Sequence, residues 1–175
     1  MDWYAVHAAA SMHDCPLGLL ELTTILNRNE LQLRDKNWNL PLHLILNYFQ
    51  PLQMDDKPRQ NIDQHEQLIK IRIVMRHYPE AAMHRDLQGR LPLHMAIDAG
   101  CCWQSLRTLL NGYPAAIGER NNDGLYPFQI AALNPKSTLT EVYELLLAAP
   151  NLLRTFRRLD NDDLKPYTPL RVPIV

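Results

Sequence analysis

Glycine is scarce in this chain, six in 175 residues. That is a poor basis for a phosphate-cradling loop, and neither a G-x-S-x-G elbow nor an H-E-x-x-H pair occurs. Cysteine is scarcer. Cys15, Cys101 and Cys102 make an odd number with two adjacent, which no conventional disulfide framework uses. They also lack the paired C-x-x-C spacings of a structural zinc site, so small buried thiols in a reducing compartment are expected. There is no cationic surplus, since 18 Lys+Arg face 19 Asp+Glu and the sequence pI is near 6.6. Bulk charge therefore does not drive polyanion binding, and nucleic acid is not an expected partner. No apolar run approaches the ~20 residues that span a bilayer, and Met1-Asp2-Trp3-Tyr4 lacks a signal peptide's basic start. No membrane insertion is expected, and the expected location is cytoplasmic or another intracellular compartment, not secreted. What is present is 46% apolar and 21% charged, the composition of a packed domain rather than of a disordered chain.

Short segments recur. Arg34-Asp35-Lys36-Asn37-Trp38-Asn39-Leu40-Pro41-Leu42-His43 is copied as Arg85-Asp86-Leu87-Gln88-Gly89-Arg90-Leu91-Pro92-Leu93-His94. A weaker third copy runs Arg120-Asn121-Asn122-Asp123-Gly124-Leu125-Tyr126-Pro127-Phe128-Gln129, and Tyr4-Ala5-Val6-His7 is a fourth without its leading turn. The offsets are 36 from His7 to His43, 51 to His94 and 35 to Gln129. Two match one period, and the third is that period plus an insertion.

After each copy an i, i+3, i+4 apolar pattern follows: Val6, Ala9, Ala10; Leu42, Ile45, Leu46; Leu93, Ala96, Ile97; and Phe128, Ala131, Ala132. A second stripe follows at Leu22, Ile25, Leu26; Ile71, Val74, Met75; Leu106, Leu109, Leu110; and Val142, Leu145, Leu146. Each unit thus reads as turn, short helix, loop and longer helix. The surplus of the second unit occupies about residues 50–62, a polar, proline-punctuated loop. Asp63 with Glu66, and Thr138 with Glu141, are spaced as capping boxes, while Pro41, Pro92 and Pro127 fall at helix starts, where a missing N–H costs little.

The pattern Asp-x-x-Gly-x-x-Pro-Leu-His at Asp86 to His94, followed by two helices, resembles the ankyrin repeat. The resemblance covers about residues 1–156, with repeats near 1–33, 34–84, 85–119 and 120–156, and leaves 157–175 as an extended tail. It is a divergent variety: Leu40 and Leu91 replace the common Thr, and Tyr78-Pro79-Glu80-Ala81-Ala82 and Tyr113-Pro114-Ala115-Ala116 replace the usual Gly-Ala-Asp ending. In this it is similar to ankyrin-like proteins of some algae. The resemblance implies an all-α, ankyrin-like solenoid of about four helix-turn-helix repeats with short hairpin turns. It also implies a concave face of hairpin tips and short-helix ends where a protein partner binds. By register that face comprises Lys36, Asn37, Trp38 and Asn39; Asn47 and Tyr48; Leu87, Gln88 and Arg90; Asp98 and Ala99; and Asn122, Asp123 and Leu125. Arg90 and Tyr48 have the side chains most enriched at interface hot spots.

His7, His43 and His94 recur one per repeat, too far apart to share an ion at zinc's ~2 Å bond length. The resemblance makes them hydrogen-bonding residues that tie a helix start to neighbouring turns. Neither a metal nor a cofactor is expected. Trp38 fills the slot of Gly89 and Gly124, where the turn asks for φ > 0. It should cost ~1 kcal/mol there or shift the turn so that Asn37 takes the left-handed position. At an exposed tip it is a binding anchor, and folded back over its neighbours it is a lid; both readings stand.

The expected function is a protein-interaction module without chemistry of its own. One alternative is a structural subunit docked through its end repeats and tail, with self-association among its outcomes. From another class, a small enzyme or ligand binder would use Cys101 or Cys102 with a nearby histidine. The 50–62 insertion is either a segment that orders on a partner or a tolerated insertion, and the apolar tail end at Leu170, Val172, Ile174 and Val175 favours docking.

Overall fold

A computed structural model describes residues 4–12, 14–47 and 64–152, and among them every regular element is helical. Eight α-helices follow in order: α1 (Ala5–Ser11), α2 (Leu17–Leu26), α3 (Pro41–Asn47), α4 (Gln64–His77), α5 (Pro92–Ala99), α6 (Trp103–Gly112), α7 (Pro127–Leu133) and α8 (Leu139–Ala148). Each short helix packs on the longer one that follows it, making four pairs. The short helices α1, α3, α5 and α7 also pack one on the next, as do α2, α4 and α6. No helix among the described residues is long and apolar enough to cross a membrane. The insertion at 50–62, Asp63, Tyr48 and the tail lie outside the described residues.

Helices of seven to ten residues are unstable alone in water, so packing must hold them. The short-helix stripes do this as their spacing requires: Val6, Leu42, Ile45, Leu46, Leu93, Ala96 and Ile97 are all buried. Pro41, Pro92 and Pro127 are each the first residue of their helix. The Thr138–Glu141 capping box is formed, Thr138 Oγ1 accepting from the Glu141 amide at 3.3 Å and Glu141 Oε2 accepting from the Thr138 amide at 2.8 Å. In the last short helix Phe128 is only half-buried and Ala132 exposed.

The second stripe of the first unit is corrected. Leu22 and Leu26 are 52% and 70% exposed, Ile25 is also exposed, and the buried face of α2 is Leu20 and Thr24 instead. The reason lies at the helix end. After α2, α4 and α6 the chain enters 3-10 turns at Arg28–Gln32, Pro79–Met83 and Pro114–Gly118. These turns align Leu20 with Ile71 and Leu106, all fully buried. The Val6-to-Leu20 distance is then 14 residues, in line with the 13 from Leu93 to Leu106.

Histidines tie short helices to the segments that lead into the following turns. His43 Nδ1 accepts from the Leu40 amide at 3.0 Å, which places the ring proton on Nε2, and Nε2 donates 3.0 Å to the His84 carbonyl. His94 repeats this with the Leu91 amide and the Glu119 carbonyl, both at 3.2 Å. Gln129 does the first half, its Oε1 accepting from the Tyr126 amide at 3.0 Å. His7 reaches the Asn39 carbonyl at 3.2 Å, while its buried Nδ1 has no hydrogen-bond partner. In His43 and His94 both ring nitrogens are thus occupied by backbone.

Two tests follow from this packing. Leu20→Ala should lower unfolding free energy in urea by about 3 kcal/mol, whereas Leu22→Ala should change it by under ~0.5 kcal/mol. The reverse order would restore the original register. In the second, burial pushes His43 down to about 4 and also lowers His7 and His94. An unfolded chain titrates these groups near 6.5, so between pH 6.5 and 4 it binds protons that the folded state refuses. Stability present above pH 6.5 is then lost as pH falls, by about 3 kcal/mol for His43 alone. Urea titrations at pH 7.5 and 4 should show that loss, and His43→Gln should reduce it while His7 and His94 keep the remainder.

Candidate functional site

Three turns precede α3, α5 and α7, and one side chain shapes each. Asp35 Oδ1 accepts from the amides of Asn37 and Asn39 at 2.8 Å. Asp86 Oδ1 accepts from Gln88 at 2.9 Å and Arg90 at 2.8 Å, and Asn121 Oδ1 from Asp123 and Leu125 at 3.0 Å. Backbone bonds close the same loops: Asp35 to Asn39, Asp86 to Arg90 and Asn121 to Leu125. Such side-chain-to-amide bonds are why Asp and Asn favour turns. They fix the backbone and leave the two residues after the Asp or Asn at the tip.

An arginine ladder joins the turns. Arg34 Nη1 donates to the Trp38 carbonyl at 2.9 Å and to the Arg85 carbonyl of the next turn at 3.0 Å. Arg85 donates to its own Gly89 carbonyl and, at 3.3 Å, to the Arg120 carbonyl, and its Nη2 pairs with Glu119 Oε2 at 2.7 Å. Arg120 stacks 4.4 Å over the Tyr126 ring. Sequence reasoning gave these arginines no role, although one stands at the same position of each copy that has its leading turn.

Trp38 itself takes the left-handed conformation, φ 62°, matching Gly89 at 69° and Gly124 at 77°. Asn37 does not relieve it. The ring is 57% exposed, and the Arg34 guanidinium lies 5.1 Å from its centroid. It is therefore an aromatic held at the tip by its own turn's arginine.

The register positions assemble into two adjoining recesses. The larger, about 570 Å³, takes Gln88, Arg90, Asp98, Asn122, Asp123 and Leu125 among its walls. The smaller, about 420 Å³, takes Asn37, Asn39, Asn47, Leu87, Gln88 and Arg90. Gln88 and Arg90 border both, while Lys36 and Trp38 are exposed but border neither. Asn134, which no sequence signal pointed to, also lines the larger recess, and its Nδ2 donates 3.2 Å to the Asp98 carbonyl.

Two positions differ from expectation. Asn39 is 9% exposed, with its side chain 3.4 Å from Asp35 and its carbonyl held by His7, so it belongs to the framework. Arg90 is bound to Asp86, Nε and Nη2 each 2.9 Å from Oδ2. Removing it would strip a largely buried carboxylate of its partner, which destabilises a fold independently of any interface.

The thiols differ in setting. Cys101 is buried, and desolvation pushes its thiol up to about 12, so it stays protonated at neutral pH. Cys102 is half-buried at the start of α6, its Sγ 3.5 Å from Ser105 Oγ. No protein-family model matches the chain, and no curated protein matches it in sequence.

The strain at Trp38 is measurable. Trp38→Ala keeps the unfavourable φ and loses the arginine stacking, whereas glycine adopts this φ freely. In urea unfolding, Trp38→Gly should therefore exceed Trp38→Ala in stability by about 1 kcal/mol. Equal values would mean that the turn relaxes once the ring is gone.

Proposed function

We propose that the chain is a protein-interaction module of ankyrin-like architecture, with no chemistry of its own, whose partner lies across the turn tips and the recesses beside them. One observation supports this above the others. Three equivalent turns are pinned by Asp or Asn and tied to one another by arginine bonds, yet their tips at Lys36, Asn37, Trp38, Leu87, Gln88, Asn122 and Asp123 stay exposed. Rigid, water-facing positions on a repeated framework bind at low entropic cost. Exposed Trp38 and Leu87 on neighbouring tips add the apolar area that interface centres use. A thiol enzyme is less well supported, because Cys101 is held protonated.

The structural-subunit reading has its own observation. Leu19, Leu22, Ile25 and Leu26 on α2, and Leu139, Tyr143 and Leu147 on α8, are exposed apolar residues on the first and last described helix pairs. Exposed apolar patches of this kind mark association surfaces.

Affinity capture of binding proteins with Trp38→Ala and Leu87→Arg tests the primary reading. Both variants should keep wild-type helical circular dichroism and lose the captured proteins. Retention of the same proteins by both variants would sink the tip-face reading, and loss on Leu26→Asp alone would move the site to α2.

A further inference from the structure

The larger recess has two kinds of wall. Leu125, Ile130 and Leu133 give it apolar surface, while Asp98 and Asp123 give it carboxylates. The one cation among its described lining residues is Arg90, and that guanidinium is already engaged with Asp86. Its Nη1 stands 3.9 Å from Asp98 Oδ2, beyond hydrogen-bond length. One guanidinium thus serves Asp86 closely and Asp98 at longer range, and with Asp123 the carboxylates outnumber it three to one. Partial burial raises the Asp98 carboxyl above its ordinary range, Arg90 pulling it down and Asp123 pushing it further up. A half-buried carboxylate whose nearest cation is more tightly held by another carboxylate is better stabilised when a second cation arrives.

Resting on the protein-interaction reading above, we propose that this recess receives a lysine or arginine side chain of the partner protein. Its aliphatic stem lies on Leu125, Ile130 and Leu133, and its cationic head meets Asp98 and Asp123. Lysine and arginine are built to that pattern, with an apolar stem and a charged end. An acidic side chain would meet two like charges. An apolar one would cover carboxylates without pairing them, which is costly. The volume of about 570 Å³ lies inside the range of ligand-sized clefts, so the residues flanking the basic one also find room.

The test titrates the isotopically labelled full chain with N-acetyl-arginine amide and, separately, N-acetyl-norleucine amide. The arginine probe should give saturable shifts in the amides of Asp98, Asp123, Leu125 and Leu133. Asp98→Asn with Asp123→Asn should weaken it at least about tenfold while the spectrum stays dispersed. Absent or unsaturable shifts, or equal shifts with norleucine, would overturn the proposal. If that happens while Trp38→Ala and Leu87→Arg still abolish capture, only the basic-side-chain proposal falls. Saturable arginine binding with capture indifferent to the tips would support the recess and remove the tip-face reading.

Discussion

The fold depends on hydrogen bonds that leave a short helix or its turn and end on the backbone that leads into or opens the next turn. Seven-residue helices such as α1, α3 and α7 have too few internal bonds to persist, and their apolar stripes alone fix no register between pairs. His43 and His94 fix each short helix to the end of its own pair, accepting from the amide that opens the helix and donating to a carbonyl beyond the following helix, while Arg34 and Arg85 reach the next turn. The ring is rigid, so one proton position serves both bonds, and a second proton would break the first. A buried, neutral histidine is therefore part of the framework, and the same burial that protects it makes the framework sensitive to acid.

Much of this was legible because each role occupies one slot in several copies. The Leu-Pro-Leu-His segments announced helix starts, and the Asp, Asn and Gly positions announced turns of one kind. Failure came where a helix carries two apolar faces. α2 has Leu22, Ile25 and Leu26 on one side and Leu20 with Thr23 and Thr24 on the other, and periodicity selects the more apolar side. Burial selects the other, where Thr24 satisfies its hydroxyl with a 2.7 Å bond to the Leu20 carbonyl. The 3-10 turn at Arg28–Gln32 carried the information, but its Asn-Arg opening does not look like the Tyr-Pro openings at Tyr78 and Tyr113.

The recesses were legible as positions and not as chemistry. Register put Gln88, Arg90, Asp98, Asn122, Asp123 and Leu125 on one face, and they do share one cavity. Sequence could not say which charges remain available, since Arg90 has acidic neighbours at both Asp86 and Asp98. Geometry decides, because Asp86 is four residues away on the same turn and meets the guanidinium at 2.9 Å, whereas Asp98 sits at the far end of α5. Arg90, named for its residue type, borders both recesses and also braces its own turn, and the neighbouring Asp98 is left with the weaker share of its charge.

Trp38 shows the opposite balance. Every other level of this sequence agrees with its structure at the turns, and the same φ recurs at Gly89 and Gly124 without strain. A bulky side chain in that conformation is locally unfavourable, and burial does not repay it, since the ring is mostly in water. Stacking under Arg34 recovers about 0.5–1 kcal/mol at an exposed site, roughly the size of the strain. The arrangement is then close to neutral for folding, while it holds a large aromatic surface rigidly in solvent. Stability therefore does not account for a tryptophan at this slot, and the remaining physical consequence is the rigid exposed ring itself, one turn away from Leu87 and the cavity wall that Leu87 forms.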